Sequence, residues 1–229
     1  MTTFVLIHGA YQGGWIWKPV ATRLRAEGHE VHAPSLDGCG ERAGQIRPGI
    51  TTESQADEIV RLLFFEDLSE VVLVGTSSGG MVLARVAEQA RERISRLVFV
   101  DALALRDGEK IRDIVTRPAA IETEIAVGPA RDDPDKPPYP GLDPALLAFA
   151  APRCTLHPAA VFHQPVRLES FWSQSWDAAV VFCRQARNPG EAHQRRCAET
   201  LNARWYELDT GHYPMLSAPD ALTRVILSG

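Results

Sequence analysis

The chain has 229 residues, 45% of them hydrophobic, and 24 Lys and Arg against 29 Asp and Glu give a net charge of -5. That length and apolar content suit one α/β domain with its own core. The acidic balance leaves no basic field for a nucleic-acid backbone, since the tightest cationic cluster is Arg195-Arg196, so nucleic acid is excluded as an expected partner.

Phe4 to Ile7 predicts a short buried strand running into His8-Gly9-Ala10-Tyr11-Gln12-Gly13-Gly14, and the periodic stretch Trp15 to Glu27 predicts a helix. Glu30 to Ala33 predicts a second strand, ended by Pro34. A polar, Gly-rich loop follows from Ser35 to Gly49, and Ala56, Ile59, Val60 and Leu63 give Thr52 to Leu63 helical spacing. Val71 to Val74 predicts the third strand, and Met81 to Ala87 reads as a helix.

Leu97 to Val100, Val180 to Cys183 and Trp205 to Leu208 bring the count to about six strands, most of them separated by helical segments, which is the pattern of a mostly parallel sheet. Leu103 to Ser175 breaks that rhythm. A single domain over 1–229 is expected, with a lid insertion at approximately 103–175 above the C-terminal edge of the sheet. Its proline-dense stretch, Pro134 to Gly141, predicts a mobile excursion. The opening segment has no basic leader, and no later stretch is long enough to span a bilayer. Cys39, Cys154, Cys183 and Cys197 are scattered without a C-x-x-C pair. Reduced thiols near the core, a cytoplasmic location, no metal site and no membrane are therefore expected.

The chemistry is carried by Gly75-Thr76-Ser77-Ser78-Gly79-Gly80, a G-x-S-x-G turn between the third strand and a helix, which makes Ser77 a candidate nucleophile. Small residues beside the serine are needed because the turn is tight. After the first strand, His8-Gly9-Ala10 can aim the Ala10 N–H at the point faced by the Ser78 N–H. Two such donors form an oxyanion hole, and losing one typically costs about 2.7–4 kcal/mol of transition-state stabilisation. The His8 side chain is expected to be structural. Asp209-Thr210-Gly211-His212 follows the last strand and puts His212 on a turn at the sheet edge, where an imidazole can serve as general base and then acid. His29, His32 and His193 are expected to be structural or solvated, and His157 and His163 are weaker pocket candidates. No cofactor or metal is called for.

Leu6-Ile7-His8-Gly9-Ala10 with Trp15 and Trp17, Gly38-Cys39-Gly40-Glu41-Arg42, Gly75 to Gly80, Leu97 to Ala102, and Gly211-His212 with Met215-Leu216 together resemble the α/β-hydrolase superfamily. The resemblance is to the branch of plant hydroxynitrile lyases, methyl-ester-cleaving plant esterases and small bacterial esterases. It implies that fold over nearly the whole chain. One departure is plain: in most of the superfamily the triad acid follows the penultimate strand, and here Arg184-Gln185-Ala186-Arg187-Asn188 supplies no carboxylate. Asp101, at the end of the strand after the nucleophile's helix, is the candidate acid. The alternative is that it caps a turn, with Asp209 and Asp177 as fallbacks.

Tyr11, Trp15, Met81, Phe149, Phe162, Trp172 and Met215 are the candidate apolar pocket walls, beside Trp17 and Phe171, although each suits a core role equally. In the lyases of the resembled branch a lysine directly follows the catalytic histidine; here Tyr213 stands there. The expectation is a serine hydrolase cleaving a small to medium hydrophobic carboxylic ester, a methyl ester or lactone among them, through an acyl-enzyme. A non-hydrolytic lyase, cyclase or isomerase using His212 as base is the alternative, favoured by the missing acid. A small-molecule receptor ranks last. The oligomeric state is not legible.

Overall fold

The computed structural model describes residues 1–115, 119–129 and 139–228. Its first half alternates strands with helices: β1 (Thr3–Ile7), α1 (Lys18–Ala26), β2 (Glu30–His32), α2 (Thr52–Phe65), β3 (Val71–Ser77), α3 (Gly79–Gln89) and β4 (Ile94–Ala102). Short elements follow, namely α4 (Ile111–Ile114), β5 (Ile121–Glu122), β6 (Ala126–Gly128), α5 (Pro144–Ala150), β7 (His157–Pro158) and α6 (Ala159–His163). The chain closes with β8 (Ala178–Cys183), α7 (Glu191–Leu201), β9 (Arg204–Leu208), α8 (Pro214–Ser217) and α9 (Pro219–Leu227).

Six strands form one sheet in the order β2-β1-β3-β4-β8-β9, and every neighbouring pair is parallel. Successive side chains on a strand face opposite sides, so a strand covered on both sides must be apolar throughout. Phe4, Leu6, Val72, Val74, Val98, Val100, Ala179 and Val181 pack on one face with α1, α8 and α9. Val5, Ile7, Val71, Leu73, Leu97, Phe99, Ala178 and Val180 pack on the other with α2, α3 and α7. This doubly covered sheet is the α/β architecture that the spacing of apolar runs implied.

Three boundaries differ from the sequence reading. The region expected to be helical from Trp15 begins as a 3-10 turn over Gly14–Trp17, and the α-helix starts at Lys18, with Pro19 in a first turn where no N–H is needed. Strands β3 and β4 run beyond their apolar cores to Ser77 and Ala102, because pairing with neighbours carries the backbone past the last apolar residue. The 103–175 interval also contains a small antiparallel sheet, β5-β6-β7, whose strands of two or three residues are too short to show a period. In the proline-dense stretch, residues 134–138 lie outside the described residues. The loop from Ser35 to Gly49 is tied down by the buried Asp37 carboxylate, which Arg47 grips at 2.6 Å and thereby holds below the usual carboxylate range. No described helix is long and apolar enough to cross a membrane.

Candidate active site

Ser77 is the last residue of β3, and its φ of 51° lies in the left-handed region, where a residue with a side chain is strained. Such a turn between strand and helix presents the hydroxyl at the sheet's C-terminal edge. It closes only because its neighbours lack side chains. A Cβ on Gly79 would stand 2.6 Å from the carbonyl oxygens of Ile7 and His8, and one on Gly9 would stand 2.6 Å from Ser77 Cβ and 3.3 Å from its Oγ. The serine is thereby seated directly against the turn that follows β1.

That turn is braced from within. Leu36 N–H donates to His8 Nε2 at 3.0 Å, so Nδ1 carries the proton, facing the Gly9 carbonyl oxygen at 2.8 Å. Gly9 N–H in turn donates to Gln12 Oε1 at 2.9 Å. His8 is therefore a structural tie, as its place beside the backbone donors led us to expect. Tyr139 O–H and Thr155 N–H both donate to the Tyr11 carbonyl, at 2.8 and 3.1 Å, fastening parts of the stretch between β4 and β8 to the same turn. The N–H groups of Ala10 and Ser78 donate no hydrogen bond among the described residues, which leaves both available to an oxyanion.

Asp101 owes its position to a fault in the ladder. Thr76 pairs with Val100 and Ser77 pairs with Ala102, so Asp101 is the extra residue of a β-bulge, with a φ of 43°. A bulge re-aims the side chain it carries. The carboxylate is fully buried and lies 2.5 Å from His212 Nδ1, while its other oxygen faces Gln194 Nε2 at 3.4 Å. With Nδ1 committed to Asp101, His212 keeps Nε2 for proton exchange. Ser77 Oγ makes no hydrogen bond among the described residues, and catalytic contacts of this kind commonly tighten only when substrate is bound.

The fallback carboxylates point elsewhere. Asp209 is exposed, 3.3 Å from Arg184 and 3.2 Å from Gln185 Nε2, and Asp177 pairs with Arg204 at 2.6 Å on the surface. The candidate pocket walls fall into two groups. Tyr11 and Trp15 pack with Met215 on the α1 side, where Trp15 also meets Phe149 at 5.9 Å. Phe162, Trp172 and Met81 pack on the α3 side, and the Tyr11 and Phe162 rings stack at 5.8 Å across the two groups. Met81 and Met215 are fully buried in the core. Gln12 and Gln194 were missed, the first because it reads as part of a Gly-rich turn and the second because its helix reads as solvated.

His193 proves buried, accepting Ala104 N–H at 2.9 Å, and His157 lies buried with Nδ1 3.3 Å from Cys39 Sγ. Burial pushes the His8 and His193 rings down to about 4 and His157 down to about 3, while it pushes the Cys39 thiol up to about 12. All three rings are neutral when folded and take a proton more readily when unfolded. Their contribution is thus complete above about pH 6.5 and drains away as pH falls towards 4, at about 1.4 kcal/mol per histidine per pH unit. Urea unfolding is expected to show a lower midpoint at pH 5 than at pH 7.5. An equal or higher midpoint at pH 5 contradicts this account.

Residues 4–225 match the model of the Alpha/beta hydrolase family. A carbendazim hydrolyzing esterase of Nocardioides sp. (strain SG-4G) is 36% identical over 126 residues, 55% of this chain and 51% of that protein. Methylesterase 8 of Arabidopsis thaliana is 38% identical over 98 residues, 42% of this chain and 36% of that one. The match thus spans about half the length, or less, of these relatives. Among solved structures, an extracellular alpha/beta-hydrolase from a Paenibacillus species superposes with a TM-score of 0.83 at 21% identity, over 99% of this chain and 98% of that chain.

Proposed function

We propose, from the premise that this chain belongs to the alpha/beta hydrolase family, that it is a serine hydrolase of small to medium hydrophobic carboxylic esters, methyl esters and lactones included. The observation that carries the reading is the buried Asp101–His212 bond beside the ladder pair Ser77 and Ala102. The resemblance of the matched stretch to a carbendazim hydrolyzing esterase and a methylesterase supports the substrate class, as do the rings of Tyr11, Trp15 and Phe162 near the turn.

In this mechanism His212 Nε2 takes the Ser77 proton as Oγ bonds to the ester carbon, and the N–H groups of Ala10 and Ser78 hold the resulting oxyanion. Asp101 fixes the imidazole and balances its charge. The imidazolium returns the proton to the departing alkoxide, leaving Ser77 acylated and an alcohol free. Water then repeats the cycle, His212 taking its proton, and the acid is released as Oγ recovers a hydrogen. The described part of the 103–175 interval serves as a lid over this edge, tied to Tyr11 by Tyr139 and Thr155. A reducing cytoplasm suits the four buried cysteines.

The Asp101 contact to His212 supports hydrolysis over the non-hydrolytic lyase, cyclase or isomerase, whose case rests on the empty acid position after β8. A fluorophosphonate is expected to form one adduct at Ser77, found by peptide mass spectrometry, and to abolish p-nitrophenyl acetate turnover in proportion. Finding neither adduct nor ester turnover sinks the hydrolase reading and favours the non-hydrolytic lyase, cyclase or isomerase, or the small-molecule receptor.

A further inference from the structure

We propose that Gln194 is a positioning residue for the Asp101 carboxylate, an inference that rests on the Ser77–His212–Asp101 reading above. Gln194 lies on α7, is fully buried, and directs Nε2 at two acceptors, Asp101 Oδ1 at 3.4 Å and the Ala102 carbonyl at 3.3 Å. The other carboxylate oxygen, Oδ2, meets His212. One oxygen is therefore held by the amide and one by the imidazole, which fixes the plane of the carboxylate.

A bulge residue at φ 43° needs such help, since the ladder that orders its neighbours passes it by. The amide also stays half satisfied: Gln194 Oε1 is buried with no hydrogen-bond partner among the described residues. Burying an unmet acceptor is unfavourable, and packing alone would be better served by an apolar side chain of the same length. The amide N–H is what an apolar residue could not provide. The rest of α7 supports the same segment without touching the carboxylate. His193 Nε2 accepts Ala104 N–H at 2.9 Å, and Arg196 donates to Ala104 O at 3.3 Å and to both Glu109 oxygens at 2.6 and 2.7 Å. The helix that follows the vacant acid position thus reaches back to hold the acid that replaces it.

Gln194→Met keeps length and volume and removes the donor. Its kcat on p-nitrophenyl acetate is expected to fall about tenfold or more with KM unchanged, the size of one hydrogen bond to a charged group. In 15N-labelled protein the downfield Nδ1 proton of His212, identified by its loss in Asp101→Asn, is expected to move or broaden in Gln194→Met. Arg196→Met, which loosens the same segment from the side, should leave both readouts in place. Unchanged kcat and an unmoved proton in Gln194→Met overturn the proposal, as does an equal loss in Arg196→Met. If Gln194→Met does not fold, the Gln194 side-chain amide resonances decide instead: they shift between wild type and Asp101→Asn, or the proposal is wrong. A wild type that shows the His212 proton yet hydrolyses no ester defeats the hydrolase reading alone, and the proton and amide signals still judge Gln194.

Discussion

Ser77→Ala loses roughly a million-fold in kcat towards p-nitrophenyl acetate, the scale on which a serine hydrolase fails when its nucleophile is removed. The size follows from chemistry that no neighbour can take over. Removing Oγ abolishes the acyl-enzyme, so what remains is water attacking an ester held by the Ala10 and Ser78 N–H groups. The fold should survive, because alanine keeps the Cβ that already packs against Gly9 and the strain at φ 51° belongs to the backbone of either residue. Thermal unfolding near that of the wild type, with a residual rate at the level of oxyanion-assisted hydrolysis, is the expected pair of measurements. A rate within about tenfold of wild type would mean that the reaction does not pass through Ser77.

The parts of this site that rest on local pattern were legible in the sequence. G-x-S-x-G after an apolar run forces a turn, and the steric reason is visible in Gly79, whose missing side chain lets α3 approach the end of β1. His212 followed from its distance past the last strand. Less legible were features created by pairing between strands far apart in sequence. Nothing in Leu97 to Ala102 announces that Asp101 is a bulge, since the fault exists only in its register against β3. Gln194 is a halfway case. His193, Gln194, Cys197, Ala198 and Leu201 are the buried face of α7, and the spacing of Cys197, Ala198 and Leu201 already marks that face. Charged neighbours on both sides masked it. The β5-β6-β7 sheet was beyond reach, because strands of two or three residues carry no period.

Asp101→Asn is expected to lower kcat by about 10⁴-fold while the protein remains folded, the loss that follows when an imidazole keeps its neighbour's shape but not its charge. Asparagine fills the same buried volume, so packing around the bulge is unchanged. Its amide cannot balance the imidazolium formed as Ser77 attacks, and turning its NH2 towards His212 would favour the tautomer whose protonated Nε2 cannot accept the serine proton. The comparison that decides the matter is Asp209→Asn. That carboxylate stands three residues before the histidine and near the usual acid position, yet it is exposed and faces Arg184 and Gln185. Its removal should leave kcat within about twofold, as expected of a surface ion pair. If instead Asp209→Asn fell by orders of magnitude and Asp101→Asn did not, the acid would sit after β9, on the same turn as the histidine. The bulge in β4 would then need another explanation.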